Sequence, residues 1–156
     1  MTGRIVASIL TDRDVDDASQ VKPLLDRIAE PVEVFLGDGS YDRTGVYTAL
    51  DEHHPDARVV VPPRVDAVLS ATADTDPTQR DHHIQAIAGK GRRAWQHDSG
   101  YNERAGVEGQ FARWKQVIGD GLRFHGDEAR ATEVAIAAQV LNRMLDLGHP
   151  NSVRVA

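Results

Sequence analysis

The stretch Tyr101-Asn-Glu-Arg-Ala-Gly-Val-Glu-Gly-Gln-Phe-Ala-Arg-Trp-Lys115 predicts a helix with two different faces. At about 100° per residue, its polar residues Tyr101, Arg104, Glu108 and Lys115 fall within about 60° of one another. A neighbouring stripe is apolar and is formed at helical spacing by Val107, Phe111, Trp114 and Ile118. We therefore expect the apolar side to dock on a core while the polar stripe edges a cleft.

The residue types on the polar stripe suit phosphate chemistry. Glu108 offers carboxylate oxygens to a hard divalent cation, Arg104 and Lys115 can neutralise phosphate oxygens, and Tyr101 can stack or donate a hydrogen bond. The same spacing is also typical of an ordinary amphipathic helix, in which an Arg104–Glu108 pair adds roughly 0.3 kcal/mol of helix stability. Taken alone, the spacing favours the ordinary amphipathic helix over a phosphate-binding one.

Composition predicts one soluble domain over residues 1–156, because 40% of the residues are hydrophobic and the length suits a single core. No apolar run approaches the ~20 residues needed to cross a bilayer, and Met1-Thr2-Gly3-Arg4 lacks the apolar region of a signal peptide. The chain has no cysteine, which excludes disulfides and thiolate metal sites. We expect a cytoplasmic protein with no membrane partner.

Charge is distributed unevenly along the chain, whose formal net charge is −6. Residues 90–123 are the basic region, with four acidic residues against the seven basic residues Lys90, Arg92, Arg93, Arg104, Arg113, Lys115 and Arg123. Any contact with DNA should centre on this region. The alternative, a solvated helix surface, stays open at this point.

Short apolar runs and turn signals predict an α/β chain. The predicted strands are residues 4–10, 32–37 and 58–61, the last ended by Pro62-Pro63. The predicted helices are residues 18–28, 43–53, 80–89 and 127–147, with Asp127 as cap of the last and Gly148 and Pro150 as its stop signals. Elements of both kinds alternate through the first half of the chain.

Asp38 follows the strand 32–37 directly and stands beside Gly39. Ligands in α/β sheets bind just beyond the carboxyl ends of strands, so this carboxylate is a candidate ligand. The alternative is a turn with a helix cap, since Asp and Ser serve in both. Asp42 is expected to cap the helix 43–53, which leaves Asp38 without a structural need.

Residues 64–80 form a long connection rich in Ala, Thr, Asp and Gln. Such a connection in a compact domain is either functional or mobile. Trp95, further on, offers two alternatives, a stacking platform for a base or an anchor of its segment on the core. The anchor is the favoured interpretation.

The pattern Tyr101, Arg104, Glu108 and Lys115, at spacings of three, four and seven, resembles the signature of bacterial DDE transposases of the IS4/IS5 type. In that family the Glu is the last member of a metal-binding Asp-Asp-Glu triad. The resemblance extends over nearly the whole chain, in order, through residues 7–25, Gly37-Asp38-Gly39-Ser40-Tyr41-Asp42, Val61-Pro62-Pro63-Arg64 and Val140-Leu141-Asn142-Arg143-Met144.

The resemblance implies an RNase H-like mixed sheet flanked by helices, in which carboxylates hold two Mg²⁺ or Mn²⁺ ions for DNA phosphodiester chemistry. Asp38 and Glu108 would be the catalytic metal ligands, and Tyr101, Arg104 and Lys115 would position phosphate. The family's first Asp and first two strands have no counterpart here. We therefore expect an N-terminally truncated catalytic domain of a bacterial, cytoplasmic transposase.

Three function classes follow from the resemblance. The first is a transposase fragment that acts on insertion-sequence ends in DNA and is inactive alone. The second is a non-catalytic binder that modulates full-length transposase or DNA ends, with self-association as a further possibility. The third is an independent metal phosphoesterase, which would need a third carboxylate near Asp38.

Loss of two strands would leave a gap in the sheet between residues 4–10 and 32–37. We expect these two strands to pair directly and in parallel, as a right-handed βαβ unit. If they do not pair, the open edge of 32–37 should recruit another chain.

Overall fold

The computed structural model describes residues 3–148, which form two compact units. One unit comprises residues 13–105, and the other comprises residues 3–12 together with the described residues from Gly106 onward. The fold is α/β and mostly helical, with one small parallel sheet of two strands in the described part. The helices are α1 (Val21–Leu25), α2 (Thr44–His53), α3 (Gln79–Lys90), α4 (Arg92–Asp98), α5 (Ala105–Val117) and α6 (Asp127–Leu147), and the strands are β1 (Val34–Leu36) and β2 (Arg58–Val60).

The parallel sheet and two helices form the core of the 13–105 unit. Val34 of β1 is opposite Arg58 of β2 and Leu36 is opposite Val60, and the Gly37 N–H continues the pairing to the Val60 carbonyl at 3.2 Å. The core is apolar and consists of Ala18, Val21, Leu25, Val46, Ala49, Leu50, Val59 and Val61. The strands at 32–37 and 58–61 are therefore confirmed, each shorter than predicted.

The predicted strand at 4–10 is wrong, and so is its pairing with 32–37. Residues 4–10 carry no strand and lie along α6 in their own unit. The Asn142 side-chain amide hydrogen-bonds to both backbone groups of Ile5, accepting from the N–H and donating to the carbonyl at 2.8 Å each. Arg4 forms an ion pair with Asp146 at 2.7 Å. The backbone of Ile5 therefore hydrogen-bonds to a side chain and not to a neighbouring strand. Val6 is 66% exposed, which is unlike a residue of a buried strand.

Helix α6 spans the residues predicted for it, Asp127–Leu147. The inward face of α6 buries Ala137, Ala138 and Leu141, and Arg113 of α5 donates to the Leu141 carbonyl at 2.5 Å. The cap prediction is wrong, because Gly126 holds the N-cap position with a φ of 92° and Asp127 is already helical. Gly148 ends the helix with a φ of 74°, as expected of a stop signal, whereas Pro150 lies outside the described residues.

The helix predicted over 101–115 begins as a 3-10 turn. Tyr101–Arg104 forms this turn and α5 follows from Ala105. The apolar stripe is only partly correct, because Val107, Trp114 and Ile118 are half-buried whereas Phe111 is 68% exposed. The other helices of the 13–105 unit are confirmed, with 18–28 reduced to the 3-10 turn Asp17–Gln20 and α1.

Asp42 does not cap α2, contrary to the prediction. The N-cap residue is Arg43, and no side chain caps it. The Asp42 carboxylate is instead fully buried, accepting from the Arg64 N–H at 2.9 Å and from the Arg80 guanidinium at 2.6 and 3.1 Å. This carboxylate joins the start of α2, the turn after β2 and α3.

A second buried carboxylate fixes the long connection between β2 and α3. Asp81 forms a capping box with Thr78 and also accepts from the Ser70 N–H at 2.7 Å and the Ser70 hydroxyl at 2.8 Å. These hydrogen bonds hold the pKa of Asp81 far below its ordinary value. Residues 70–81 are therefore an ordered part of the unit.

None of the helices within residues 3–148 combines the length and the apolar character that crossing a membrane requires.

Replacing Asp42→Asn should lower the free energy of unfolding by about 2–4 kcal/mol at pH 7, because Arg80 loses its buried anionic partner. Burial raises the pKa of Asp42, but the hydrogen bonds from Arg80 and Arg64 outweigh it and lower the pKa below 3.8. This carboxylate therefore stabilises the fold above pH ~4 and loses its contribution as the pH falls through the lowered pKa.

Urea unfolding at pH 7 and at pH 3 measures both effects. The difference between wild type and the Asn variant should shrink at the lower pH. Asp56→Asn, on an exposed carboxylate of the same unit, is the matched control. Equal stability of the Asp42 variant and the control at pH 7 would contradict the structural role given to Asp42.

Candidate metal and phosphate site

Asp38 lies at the carboxyl end of β1, where the chain leaves the sheet. It caps the 3-10 turn Gly39–Tyr41, and one carboxylate oxygen accepts from the Ser40 N–H at 2.9 Å and the Ser40 hydroxyl at 2.5 Å. Asp38 therefore has a structural role that the sequence analysis assigned to Asp42. The roles of the two carboxylates are reversed, since Asp42 is a buried anchor and Asp38 is a partly exposed cap.

Glycine beside Asp38 permits this tight turn. A Cβ added at Gly37 would lie 3.1 Å from both the Phe35 and the Tyr41 rings, which pack edge-to-face with centroids 5.9 Å apart. Gly39 approaches the Pro62 carbonyl, which an added Cβ would meet at 3.6 Å. The ends of both strands thus lie side by side at this edge of the sheet, the position at which α/β folds place ligands.

The second oxygen of Asp38 faces a cation. Arg104 reaches it from the 3-10 turn Tyr101–Arg104, with a guanidinium nitrogen 3.3 Å away, and the Asp38 side chain is 43% exposed. The Ser40 hydrogen bonds, with a smaller contribution from Arg104, lower the pKa of Asp38. The carboxylate is therefore ionised at neutral pH and accessible from solvent, beside one arginine of the predicted polar stripe.

A chain of contacts from β2 fixes the turn that carries Arg104. The Trp95 indole N–H donates to His83 Nδ1 at 2.9 Å, so His83 Nε2 carries the proton and donates to the Val59 carbonyl at 2.7 Å. The Tyr101 ring then packs on Trp95 with centroids 5.6 Å apart. Trp95 is only 2% exposed, which confirms the anchor interpretation and excludes base stacking in this structure.

His83 is a residue that sequence reasoning missed. The histidines of the chain show no paired metal-ligand spacing in the sequence, yet His83 links β2, α3 and α4 through both ring nitrogens. Burial lowers its pKa, so it stays neutral. Gln79, one helical turn earlier on α3, also contacts β2, because its side-chain oxygen accepts from the Val59 N–H at 2.9 Å. The four-residue spacing of these two polar side chains was the signal in the sequence that they share one face of α3.

Further arginines border the same edge of the sheet. Arg92 donates to the Pro63 carbonyl at 2.8 Å in the turn after β2, and Arg64 is exposed in that turn. Arg64 follows β2, Arg92 follows α3 and Arg104 follows α4, so three separate segments each supply a guanidinium group. Such groups are suited to phosphate oxygens.

Glu108 and Lys115 lie on α5, in the other unit. Both side chains are exposed, and their spacing of seven residues puts them on one face of the helix. Glu108 lies in the first turn of α5 and Lys115 in the last. The convergence of Glu108 with Asp38 remains a prediction.

The chemistry of Asp38 fits a hard divalent cation. It offers ionised oxygen donors held in place by Ser40, which is what Mg²⁺ and Mn²⁺ prefer. Arg104 occupies one oxygen in this structure and would have to yield it to a metal ion. Within residues 3–148, no three His, Asp or Glu side chains are grouped so that they could hold a metal ion.

Comparison with known proteins gives one family. Residues 1–145 match the model of the family described as transposase DDE domain. The match covers nearly the whole chain and includes Asp38, Tyr101, Arg104, Glu108 and Lys115. No solved structure matches the chain significantly.

Replacing Trp95→Phe should lower the free energy of unfolding by about 1–2 kcal/mol, since His83 loses a buried donor while most of the ring packing remains. The turn that carries Arg104 should also open more often. Amide exchange of residues 101–104 measures this local effect, and urea unfolding measures the global one.

Trp114→Phe is the matched control, because the second tryptophan of the chain is only half-buried on α5. Amide exchange of residues 101–104 that is equally slow in wild type and in the Trp95 variant would contradict the anchoring role of Trp95.

Proposed function

Because the chain belongs to the transposase DDE domain family, we propose that it serves in the cutting and joining of DNA at the ends of an insertion sequence of the IS4/IS5 type. Family membership indicates that the chain takes part in DNA transposition and recombination. The match runs from residue 1 to residue 145 across both units, so we treat residues 1–156 as a single DDE domain.

The observation that carries the proposal is the arrangement at Asp38. A carboxylate at the carboxyl end of a strand is held by Ser40, stays ionised and faces Arg104 at 3.3 Å. A purely structural cap needs only the bonds to Ser40. The exposed oxygen beside a guanidinium adds a place where a phosphate and a cation can both be bound.

We assign Asp38 and Glu108 as ligands of Mg²⁺ or Mn²⁺, which supplies Lewis acidity toward a DNA phosphodiester when bound. Both residues are partly or fully exposed and carry oxygen donors suited to these ions. Glu108 stands in the first turn of α5, where its carboxylate is also favoured by the helix dipole.

Arg104 has two partners available in this proposal. In the absence of DNA it pairs with Asp38, and when a phosphate arrives it can turn its guanidinium to the phosphate oxygens and leave Asp38 to a metal ion. Lys115 adds a second positive charge on the face of α5 that carries Glu108. Tyr101, packed on Trp95, holds the turn of Arg104 and offers its hydroxyl to phosphate.

The chain by itself is proposed to be catalytically inactive, since two carboxylates do not hold two metal ions in the required geometry. Its partners in this proposal are transposon-end DNA and full-length transposase. The alternative is a non-catalytic binder that modulates the full-length enzyme or its DNA ends. A strand-transfer assay of full-length enzyme, with and without the chain, separates a binder that changes transposition from a chain that has no effect on it.

Asp38→Asn and Glu108→Gln should each weaken Mn²⁺ binding by about tenfold or more, since each removes a charged oxygen ligand. Arg104→Gln should have the opposite effect and tighten binding, because it removes a cation that competes for Asp38. Isothermal titration of the purified chain with MnCl₂ measures all three affinities.

Asp56→Asn and Glu30→Gln are the controls, since both carboxylates are exposed and outside the proposed site. The metal assignment fails if Asp38→Asn and its control bind Mn²⁺ equally well. A weakened Arg104→Gln variant would contradict the competition between arginine and metal.

The purified chain should not nick supercoiled DNA in the presence of Mg²⁺ or Mn²⁺, because the proposed site has only two carboxylate ligands, Asp38 and Glu108. Agarose-gel analysis of plasmid DNA over several hours tests this. Metal-dependent nicking that disappears in Asp38→Asn would refute the proposed inactivity and favour an independent phosphoesterase.

A further inference from the structure

Phe111 of α5 is an aromatic side chain that the fold leaves in solvent. It is 68% exposed, although Val107 and Trp114, its neighbours in the apolar stripe of α5, are half-buried. Within residues 3–148, no other aromatic ring packs against it. The ring therefore adds little to the core of its unit, and its flat surface is accessible to a partner.

Phe111 lies at the border between the apolar stripe and the polar face of α5. At 100° per residue it is about 60° from Glu108 and about 40° from Lys115 around the helix axis. Along the axis it stands between them, about 4.5 Å beyond Glu108 and about 6 Å before Lys115. Both of these charged side chains are exposed. The ring is thus next to the two residues of α5 that we assign to metal and phosphate.

Small residues occupy the same exposed face on the other side of Glu108. They are Ala105, Gly109 and Ala112. Gly109 stands inside α5, where glycine is less favourable than alanine. A Cβ added there would meet nothing within 4 Å in the described part of the chain, so packing within the chain does not require a glycine. A surface without side chains lets a partner approach the helix backbone closely.

We propose that this face of α5 binds single-stranded DNA, with one base stacked on the Phe111 ring. The phosphate beside that base pairs with Lys115, and the sugar–phosphate backbone passes close to Gly109. Aromatic side chains stack on bases of any sequence because every base has a flat π surface. A base can stack on Phe111 only if it is not already paired and stacked in a duplex.

Nucleic acid fits this face better than an apolar protein surface does. An apolar partner that covered Phe111 would also remove Glu108 and Lys115 from water without offering them charged partners, which is costly. A nucleotide offers a flat base to the ring and a phosphate to Lys115. The inference rests on the proposed function for the identity of the polymer, and it adds that the DNA is unpaired where it meets α5.

Fluorescence anisotropy with two labelled oligonucleotides of about 12 nucleotides tests the stack. One is oligothymidylate, and the other has the same sugar–phosphate backbone without bases. Phe111→Leu should bind oligothymidylate about tenfold more weakly than wild type and bind the abasic backbone equally well, because only the stack is lost. Lys115→Gln should bind both more weakly, because both carry phosphates.

Phe124→Leu is the matched control, because Phe124 is 60% exposed in the loop between α5 and α6 and does not belong to this face. It should bind both oligonucleotides as wild type does. Phe111→Tyr should also retain binding, since it keeps the aromatic ring. The ratio between wild type and Phe111→Leu should be the same in EDTA as in MgCl₂, so this test does not depend on the metal assignment.

Gly109→Ala separates the binding surface from the stability of the helix. Alanine favours the helix and has open space at this position, so the urea midpoint of the chain should rise. Binding of oligothymidylate should nevertheless weaken by about threefold or more, because the added methyl group keeps the backbone away from α5. Unchanged binding by Gly109→Ala would rule out the close approach of the DNA.

Equal affinities of wild type and Phe111→Leu for oligothymidylate would overturn the stack. The same holds if Phe111→Leu loses as much affinity for the abasic backbone as for oligothymidylate. If Lys115→Gln alone weakens binding, the base contact is refuted while the phosphate assignment of Lys115 stands. A wild-type chain that binds neither oligonucleotide would contradict both the stack and the phosphate assignment.

Discussion

The imidazole of His83 is the contact on which the candidate site depends. One ring nitrogen donates to the Val59 carbonyl in β2 and the other accepts from Trp95 in α4. Tyr101 packs on Trp95, so the turn Tyr101–Arg104 is connected to the sheet through the neutral imidazole of His83. Together with the hydrogen bond from Arg92 to the Pro63 carbonyl, this link ties α4 and the turn after it to β2 and the segment that follows β2.

Charge within the 13–105 unit is arranged in two kinds of ion pair. The pair of Asp42 and Arg80 is buried and joins separate segments, so its role is to hold the fold. The pair of Asp38 and Arg104 is partly exposed at the edge of the sheet, with a distance of 3.3 Å rather than the 2.6 Å of the buried pair. The Asp38–Arg104 pair is longer than the buried pair and is accessible from solvent, so its two side chains can exchange partners.

Local patterns in the sequence predicted most elements of the fold, because short β-branched runs, helical spacing and glycine stops act over a few residues. The strand at 4–10 failed because its alternative partner, the Asn142 side chain, lies 137 residues away along the chain. Asp38 and Asp42 were both recognised as important, but no local rule shows which of two neighbouring carboxylates a distant arginine will bury. Phe111 fitted its stripe and is exposed nonetheless, since periodicity shows which side chains share a face and not whether that face is covered.

We propose above that Asp38 and Glu108 are ligands of the same metal centre. Iron-directed cleavage can detect such a shared site, because Fe²⁺ can take the place of Mg²⁺ at oxygen ligands and, with ascorbate and peroxide, cuts the polypeptide near where it is bound. A shared site should give two cuts, one close to residue 38 and one close to residue 108, both suppressed by excess Mg²⁺ and both lost in Asp38→Asn. Cleavage near only one of these residues, or two cuts of which only one responds to Asp38→Asn, would contradict a shared site.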